Sequence, residues 1–388
     1  MKYSTPVYIV AAGRSPIGRF GGALKNVSAV ELAAQVAAGV VPPELRAQVG
    51  TVIFGQVVPA GVGMNLARQV SLRIGVPQTT PAWMVNITCG SGLKAVALGA
   101  DAIAQGEADL VLAGGVEVMS QAPHYAPDAR WGKKLGDAAL VDSLLIDGLT
   151  DPTLHIGMGE TAERIADQYH ITREEQDRFA LQSQQRAVAA AEAFRREIIS
   201  VQAGRKTFDQ DEHPRPETTL ESLQQLKPAF RSNGTVTAGN ASGINDGAAA
   251  VLLAGGPMMQ QFGLAPRVRI AGCAVVGCDP ALMGLGPVGA IRSLCGQLDW
   301  RLEEIEVVEI NEAFAVQVLA CARDLGLSME QLNQRGGAIA LGHPIGCSGA
   351  RVLVTLLHLM EDKHCRRGIA SLCIGGGMGI ALGLELVS

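Results

Sequence analysis

Aromatic and charged residues are both scarce in this chain. Of its 388 residues, 4% are aromatic and 18% are charged, and the net charge is −5 without a long basic tract. Binding of nucleic acid depends on clustered Lys and Arg, so we do not expect a nucleic-acid partner. No apolar run is long and unbroken enough to span a bilayer, so we expect no membrane segment.

Closely spaced cysteine pairs are missing as well. The eight cysteines form no CxxC motif and show no zinc-like spacing to histidine, so we expect no metal site and mostly reduced, buried thiols. Reduced thiols fit a reducing compartment. The first residues, MKYSTPVYIVAAGRSPIG, are typical of a short strand and a loop rather than a signal peptide. Together these features predict a cytoplasmic protein.

Hydrophobic residues and glycine are abundant. Hydrophobic residues make up 48% of the chain and glycine contributes 47 residues, which favours a globular protein with an extensive core in two or three domains. The first part reads as strand-like segments at 51–58 and 81–88, a helical apolar pattern at 90–105 and a buried strand at 108–119. This strand–helix–strand order predicts a parallel α/β sheet.

Residues 120 to about 245 depart from this pattern. They concentrate charge, and they include a predicted amphipathic helix at about 172–196 and a polar stretch at 209–218, so we predict an inserted lobe. The last third returns to α/β, with predicted strands and helices at 305–310, 311–326, 346–360, 368–374 and 377–387. CGSGLKAVALGA and GCSGARVLVTLL both open a helix with a Ser-Gly turn, which indicates an internal duplication.

Cys89 lies in NITCGSGLKAV, where a strand passes into a helix. Free N–H groups and the dipole at a helix N-terminus favour a thiolate, and Gly90, Ser91 and Gly92 leave room for a substrate. The same backbone amides could stabilise an oxyanion on an attacked carbonyl. A nucleophile is one interpretation of Cys89, and a buried structural cysteine is the other.

Two further segments carry reactive side chains in glycine-rich loops. His343 lies in GGAIALGHPIGCSG and titrates near neutral pH, so it either takes a proton from a thiol or only forms local hydrogen bonds. Cys373 ends a strand in SLCIGGGMG, where Gly375, Gly376 and Gly377 allow unusual backbone angles. A phosphate-binding loop is the alternative there, although no Lys-Ser/Thr follows and the next residues favour a strand.

Asn311 and Glu312 follow a predicted strand and open the predicted helix in EINEAFA. Asn311 is either an N-cap or a polar site group at the carboxyl end of a strand, where α/β proteins place their sites. The remaining histidines lack a comparable context, and we expect them to be structural or solvent-facing: His124, His155, His170, His213, His358 and His364.

Taken together, these segments resemble the thiolase family. Five motifs occur in the family's order and span essentially the whole chain: the Cys89 segment, GTVTAGNASGINDGAA at 234–249, NEAF at 311–314, GHP at 342–344 and CIGGGMG at 373–379. Any one of these motifs is modest support, whereas all of them in order are specific.

The resemblance implies a thiolase-like α/β fold. Two duplicated βαβαβαββ core domains would form five layers in an α-β-α-β-α arrangement, with a loop domain inserted. We assign 1–119 plus 246–265 to the N-terminal core domain, 120–245 to the loop domain that binds CoA, and 266–388 to the C-terminal core domain. The resemblance also implies a homodimer or homotetramer, with tetramer contacts near 120–140.

The activity implied is that of an acetyl-CoA acetyltransferase, which condenses two acetyl-CoA to acetoacetyl-CoA plus CoA or cleaves 3-ketoacyl-CoA by thiolysis. His343 would take the proton of Cys89, whose thiolate attacks the acyl-CoA carbonyl, and Cys373 would remove an α-proton from acetyl-CoA. The N–H groups of Cys89 and Gly375 would bind one oxyanion, and His343 with a water held by Asn311 would bind the other. CoA would act as substrate and product, and no prosthetic group or metal is implied.

The resemblance also suggests residues that contact CoA or line its pocket: Arg215, Ser242, Met158, Phe230, Ala238, Met283 and Phe314. Arg215, in DEHPRP, can pair with phosphate or stack on adenine, or it is a solvated surface residue. Acetoacetyl-specific thiolases typically carry His-Met-Gly, whereas this chain has Gly157-Met158-Gly159 with His155 two positions early. A pocket without that imidazole would be wider or less polar, so a broad-chain-length 3-ketoacyl-CoA thiolase of fatty acid β-oxidation is the alternative.

Two other functions belong to the same fold class. A decarboxylating 3-ketoacyl synthase also uses a nucleophilic Cys, but it generally has a second His or an Asn where this chain has Cys373. A non-catalytic lipid carrier would have lost at least one of Cys89, Asn311, His343 and Cys373, and all of these are present. We therefore expect an acyltransferase that acts on acyl-CoA.

Overall fold

The structure, a computed structural model, describes residues 2–387. The strands are β1 (Lys2–Arg14), β2 (Gly18–Arg19), β3 (Thr51–Gly55), β4 (Ala82–Val85), β5 (Leu110–Val118), β6 (His124–Tyr125), β7 (Val141–Asp142), β8 (Thr150–Asp151), β9 (Ile156–Gly157), β10 (Val201–Ala203), β11 (Lys206–Phe208), β12 (Asn245–Gly255), β13 (Val268–Gly277), β14 (Val307–Ile310), β15 (Arg367–Ile374) and β16 (Met378–Leu386). The helices are α1 (Ala29–Val40), α2 (Leu66–Arg73), α3 (Ser91–Ala104), α4 (Met158–Tyr169), α5 (Arg173–Ala189), α6 (Ala191–Phe194), α7 (Leu220–Gln224), α8 (Gly256–Phe262), α9 (Gly286–Leu298), α10 (Ala315–Leu325), α11 (Ala338–Leu341) and α12 (Ile345–Lys363).

The main sheet has ten strands in the order β14-β15-β16-β13-β1-β12-β5-β3-β4, with β2 paired to β12. The order β3-β5-β12-β1 in one half matches β14-β15-β16-β13 in the other, and β1 and β13 join the halves as antiparallel neighbours. In each half the first pair is parallel and the next two are antiparallel. The predicted duplication is therefore confirmed. The counterpart of β4 in the second half is a single bridge, between Leu332 and Val308.

The protein has five layers of helices and strands, because the side chains of each strand point alternately to its two faces. Val111 and Ala113 of β5 face a central core with α3 and α12, whereas Leu110 and Leu112 face an outer core with α1 and α2. On the other half of the sheet, β15 contributes to the central core, and its Ile369 packs with α9 and α10 in a second outer core. Successive side chains of a strand point to opposite faces, so each half of the sheet lies between two helical layers, and the predicted α-β-α-β-α order is confirmed.

The two helices that open with Ser-Gly turns pack against each other in the central layer. A Cβ atom on Gly92 of α3 would lie 2.8 Å from the amide nitrogen of Ala350, and one on Gly349 of α12 would lie 2.4 Å from the amide nitrogen of Leu93. Only glycine permits such a close approach of two backbones. This contact brings the N-terminal ends of α3 and α12 together, and with them Cys89 and His343.

Residues between β5 and β12 lie outside the main sheet. They comprise α4 to α7 and three two-stranded sheets, β6–β7, β8–β9 and β10–β11. The single helix predicted at about 172–196 is divided into α5 and α6, and α5 begins with a capping box between Thr172 and Glu175. The boundaries proposed for the inserted domain stay a prediction. Within residues 2–387, none of the helices combines the length and apolar character that a bilayer crossing requires.

One predicted helix start was wrong. The NEAF motif does not open a helix, because α10 begins at Ala315 with Phe314 in the N-cap position. Asn311 lies in the preceding turn, where its N–H donates to the carbonyl of Ser371 at 2.9 Å. This hydrogen bond holds the start of the motif at the edge of the sheet, beside the end of β15.

Candidate active site

Cys89 lies in a tight turn between β4 and α3. Thr88 has a left-handed backbone with φ of 49°, and the Ser91 hydroxyl closes the turn by accepting from Ile87 N–H at 3.0 Å and donating to Thr88 O at 2.6 Å. Cys89 is half-buried. Burial raises the pKa of its thiol to about 11, although the N–H groups of Gly375 and of Cys89 itself donate to the sulfur and act in the opposite direction. The free thiol is therefore protonated at neutral pH.

His343 precedes α12 and is buried. Burial lowers the pKa of its imidazole to about 3, and the positive charge of Arg351 adds to this effect. Its Nδ1 lies 2.5 Å from the hydroxyl oxygen of Ser348, and that hydroxyl donates to the carbonyl of Pro344 at 2.9 Å. With the hydroxyl proton on the Pro344 side, Ser348 accepts from Nδ1–H, so Nε2 carries the lone pair. The neutral imidazole is thus arranged to receive a proton at Nε2.

Asn311 lies beside that nitrogen. Its Nδ2 is 3.4 Å from His343 Nε2, and its Oδ1 is buried without a hydrogen-bond partner within residues 2–387. The adjacent Glu312 accepts from Ser183, Asn333 and the N–H of Ile339. Because a buried acceptor without a partner is costly, Asn311 Oδ1 is suited to hold a water molecule or a substrate group.

Cys373 ends β15 and is buried. It shares an apolar cluster with Met283 and Phe314, and Met158 packs against the same cluster. Burial raises the pKa of its thiol well above the ordinary value, and the nearby Cys89 sulfur acts in the same direction. The loop after Cys373 reaches the Cys89 turn, because the hydroxyl of Thr88 donates to the carbonyl of Gly375 at 3.4 Å.

The glycines after Cys373 form a turn between two strands. Gly376 and Gly377 have φ values of 87° and 86°, and the chain continues directly into β16, the antiparallel neighbour of β15. A phosphate-binding loop of the strand–loop–helix type leads into a helix. That alternative is therefore wrong, and the strand predicted after the glycines is confirmed.

The residues predicted to contact CoA lie in two groups. Met158, Met283 and Phe314 lie around Cys373, Phe230 meets Phe314 edge to face with ring centroids 6.1 Å apart, and the N–H of Ser242 donates to the carbonyl of Ala313 next to Phe314 at 2.9 Å. Arg215 and Ala238 instead line an open cavity of about 280 Å³. The cavity is also lined by Gln184, His213, Glu217, Thr218, Ser222, Leu223, Leu226, Gly239 and Ile339.

Several residues around the site were missed by the sequence reasoning. Ser348 was seen only as part of a helix opening, and His213 was placed with the histidines that have no role although it lines the cavity. Glu117 of β5 is buried and accepts from the N–H groups of Val57, Val58 and Gly346. Burial raises its pKa to about 7. A lone carboxylate in an otherwise apolar strand was a signal that could have identified Glu117.

Gly157 stands where acetoacetyl-specific thiolases typically carry the histidine of His-Met-Gly. Gly157 precedes α4 and is exposed, and a Cβ atom there would meet only the carbonyl of Leu149, at 3.9 Å. His155 lies in an exposed turn with φ of 54°. Its imidazole therefore belongs to a different turn of the chain and does not replace a side chain at 157.

Comparison with known proteins agrees with this geometry. The family models "Thiolase, N-terminal domain" and "Thiolase, C-terminal domain" match residues 7–256 and 264–386. The acetyl-CoA acetyltransferase of Chromobacterium violaceum is 51% identical over 98% of this chain and 99% of its own length. The crystal structure of the Bacillus anthracis acetyl-CoA acetyltransferase matches with a TM-score of 0.95 at 45% identity, over 100% of both chains. The human mitochondrial 3-ketoacyl-CoA thiolase in complex with CoA matches with a TM-score of 0.96 at 43% identity, also over 100% of both. The chain belongs to the thiolase family.

Proposed function

We propose that this enzyme is an acetyl-CoA acetyltransferase that works through an acetyl group on Cys89. The observation that carries the proposal is the close packing of α3 against α12, which supports a site between the Cys89 turn and the His343–Asn311 pair. Gly375, two residues after Cys373, contacts the Cys89 turn. Its 51% identity to the acetyl-CoA acetyltransferase of Chromobacterium violaceum supports acetyl-CoA as the substrate.

In the first half-reaction, His343 Nε2 takes the proton of Cys89 as the sulfur attacks the thioester carbonyl. The bond to the CoA sulfur then breaks, and CoA leaves as a thiol with the proton from the imidazolium. Because burial favours the neutral thiol and the neutral imidazole, we expect the thiolate to form only as the substrate is attacked. The N–H groups of Cys89 and Gly375 would hold the oxyanion of the tetrahedral intermediate, which fits their donation to the Cys89 sulfur in the free enzyme.

In the second half-reaction, the neutral His343 takes the proton of Cys373, and the resulting thiolate takes a proton from the α-carbon of a second acetyl-CoA. The resulting enolate attacks the acetyl carbonyl on Cys89, the bond to the Cys89 sulfur breaks, and acetoacetyl-CoA leaves. The imidazolium of His343 then protonates the Cys89 thiolate, and Cys373 keeps the proton from the α-carbon, so both thiols are restored. His343 and a water held by Asn311 would stabilise the enolate oxygen, which fits the unpartnered Asn311 Oδ1.

CoA would extend from these groups to the cavity of Arg215 and Ala238. Pantetheine would pass Ser242 and the apolar side chains around Phe314, and Arg215 would pair with phosphate or stack on adenine. In this proposal CoA is the substrate and the product, and no prosthetic group takes part. A cytoplasmic location stays a prediction.

The test is to incubate the protein with acetyl-CoA and to locate the acetyl group by peptide mass spectrometry. We expect it on the peptide of Cys89. The variant Cys373→Ala should acquire the same acetyl group but form no acetoacetyl-CoA, whereas Cys295→Ala, which removes a buried thiol from α9, should do both. An adduct on another residue, or condensation by Cys373→Ala at the normal rate, would refute the assignment. Release of CO₂ from malonyl-CoA would instead favour a decarboxylating synthase.

We also propose that the chain assembles as a homodimer or homotetramer. Trp131 and Leu135, in the segment predicted to mediate tetramer contacts, are each 91% exposed in the isolated chain. Leu140 of the same segment is exposed as well, and a group of large exposed apolar side chains in one segment is suited to a contact between subunits. Light scattering should detect a dimer or a tetramer. If it is a tetramer, it should become smaller in the double variant Trp131→Ser, Leu135→Ser. A monomeric wild-type protein would refute the proposal.

A further inference from the structure

Asn245 links three segments of the chain next to the active site. It is fully buried at the start of β12. Its Oδ1 accepts from the backbone N–H of His343 at 3.0 Å, and its Nδ2 donates to the carbonyl of Gly18 at 2.9 Å. The same Nδ2 lies 3.3 Å from Nδ1 of His213, which lines the cavity of Arg215. One amide therefore connects the wall of the cavity to the histidine of the active site.

The orientation of the Asn245 amide follows from its partners. The backbone N–H of His343 can only donate, so the amide atom that faces it must be Oδ1. The two protons of Nδ2 then go to the carbonyl of Gly18 and to Nδ1 of His213, so His213 accepts and carries its own proton on Nε2. Burial lowers the pKa of His213 to about 4, and the charges of Arg215 and Arg19 add to this effect. A neutral His213 is the acceptor that this arrangement requires.

Glycine makes the contact between Asn245 and the His343 loop possible. Gly342 has φ of 104°, and a Cβ atom there would lie 2.3 Å from Cγ of Asn245. Gly243 similarly leaves room for His213, because a Cβ atom on it would lie 2.5 Å from the ring carbon Cε1. The His343 backbone thus rests directly on the Asn245 amide, and the amide is held in turn by His213.

We propose that Asn245 is a positioning residue for His343, and that His213 fixes the orientation of the Asn245 amide by accepting its second N–H proton. The proposal rests on the role proposed for His343 as the proton acceptor of Cys89. Asn245 touches no reacting atom in this account. It holds the backbone of His343 so that Nε2 stays within reach of the Cys89 thiol, and a shift of about 1 Å in such a group costs about 100-fold in rate.

The test measures single-turnover acetylation of Cys89 at saturating acetyl-CoA in matched variants. His213→Leu removes the acceptor, and His213→Asn restores it, because the Oδ1 of an asparagine occupies the place of the histidine Nδ1. We expect acetylation to slow about tenfold in His213→Leu and about 100-fold in Asn245→Ala, and to stay within about twofold of wild type in His213→Asn. Both substitutions at 213 change the cavity wall, so both can change the KM for CoA, but only the loss of the acceptor should lower the acetylation rate.

His358→Leu is the control for loss of a buried imidazole. His358 lies near the C-terminal end of α12 beside Arg267, away from the site, so this variant should lower the melting temperature without slowing acetylation. If wild type acetylates Cys89 and His213→Leu does so at the same rate, or if His213→Asn is as slow as His213→Leu, the positioning role is refuted. A wild-type protein that leaves Cys89 unmodified refutes the proposed function instead. His213→Leu decides the question even if Asn245→Ala does not fold.

Discussion

The hydroxyl of Ser348 offers the sharpest test of how His343 is prepared for catalysis. It lies 2.5 Å from Nδ1 and donates to Pro344 O, so it stabilises the tautomer whose Nε2 carries the lone pair. In Ser348→Ala, the Nδ1–H of that tautomer loses its partner in a buried site. An unsatisfied buried donor costs about 1–3 kcal/mol. Since about 1.4 kcal/mol is a factor of ten in rate, acetylation of Cys89 should slow about 5- to 150-fold.

The assay is acetylation of Cys89 in a single turnover, stopped with acid at intervals and measured by mass spectrometry of the intact protein. Thr80→Ala is the matched control, because it also removes a buried hydroxyl that donates to a carbonyl, that of Val49 at 2.8 Å, away from the site. Both variants should lose stability, but only Ser348→Ala should lose acetylation rate. Equal rates in the two variants would show that the hydroxyl does not select the tautomer.

Three further predictions follow from buried polar groups. Asn311→Ala should slow condensation by about 10²–10³ but slow acetylation of Cys89 much less; equal losses in the two half-reactions would contradict a role in holding the enolate. Burial raises the pKa of Glu309 from 4.5 to about 8, so the folded state holds its proton more tightly than the unfolded chain. Its contribution to stability is therefore fully present below about pH 4.5 and is lost as the pH rises towards 8. Measured by urea unfolding, the free energy of unfolding should fall less over that pH range in Glu309→Gln than in wild type. An identical pH profile in both proteins would refute this. Glu117→Gln should instead lower the free energy of unfolding by about 1–3 kcal/mol. The NH₂ group of the glutamine would face a backbone N–H whose hydrogen bond the Glu117 carboxylate accepts in the wild type. Unchanged urea unfolding would show that these contacts contribute little.

Local patterns in the sequence were sufficient for most of the secondary structure around the site. The apolar spacing after Cys89 predicted a helix, and the structure has α3 at Ser91–Ala104. The residues at 368–374 and 377–387 predicted two strands on either side of a run of glycines, and the structure has β15 and β16 there. These features depend on interactions within a few residues, such as side-chain periodicity and the backbone freedom of glycine. The same reasoning failed at Asn311, because a residue with N-cap propensity is held in a turn by a hydrogen bond to the distant Ser371.

The arrangement of the site was decided by tertiary contacts. The motifs of Cys89 and His343 are far apart in the chain, and they meet because Gly92 and Gly349 let α3 and α12 pack backbone to backbone. The residues that orient His343 are brought to it by the same packing. Asn245, 98 positions earlier in the chain, accepts a hydrogen bond from the backbone N–H of His343. A sequence pattern records which residues can form a helix, a turn or a cap. Which side chains then face each other depends on how those elements pack, because close packing brings together groups that carry no common local signal.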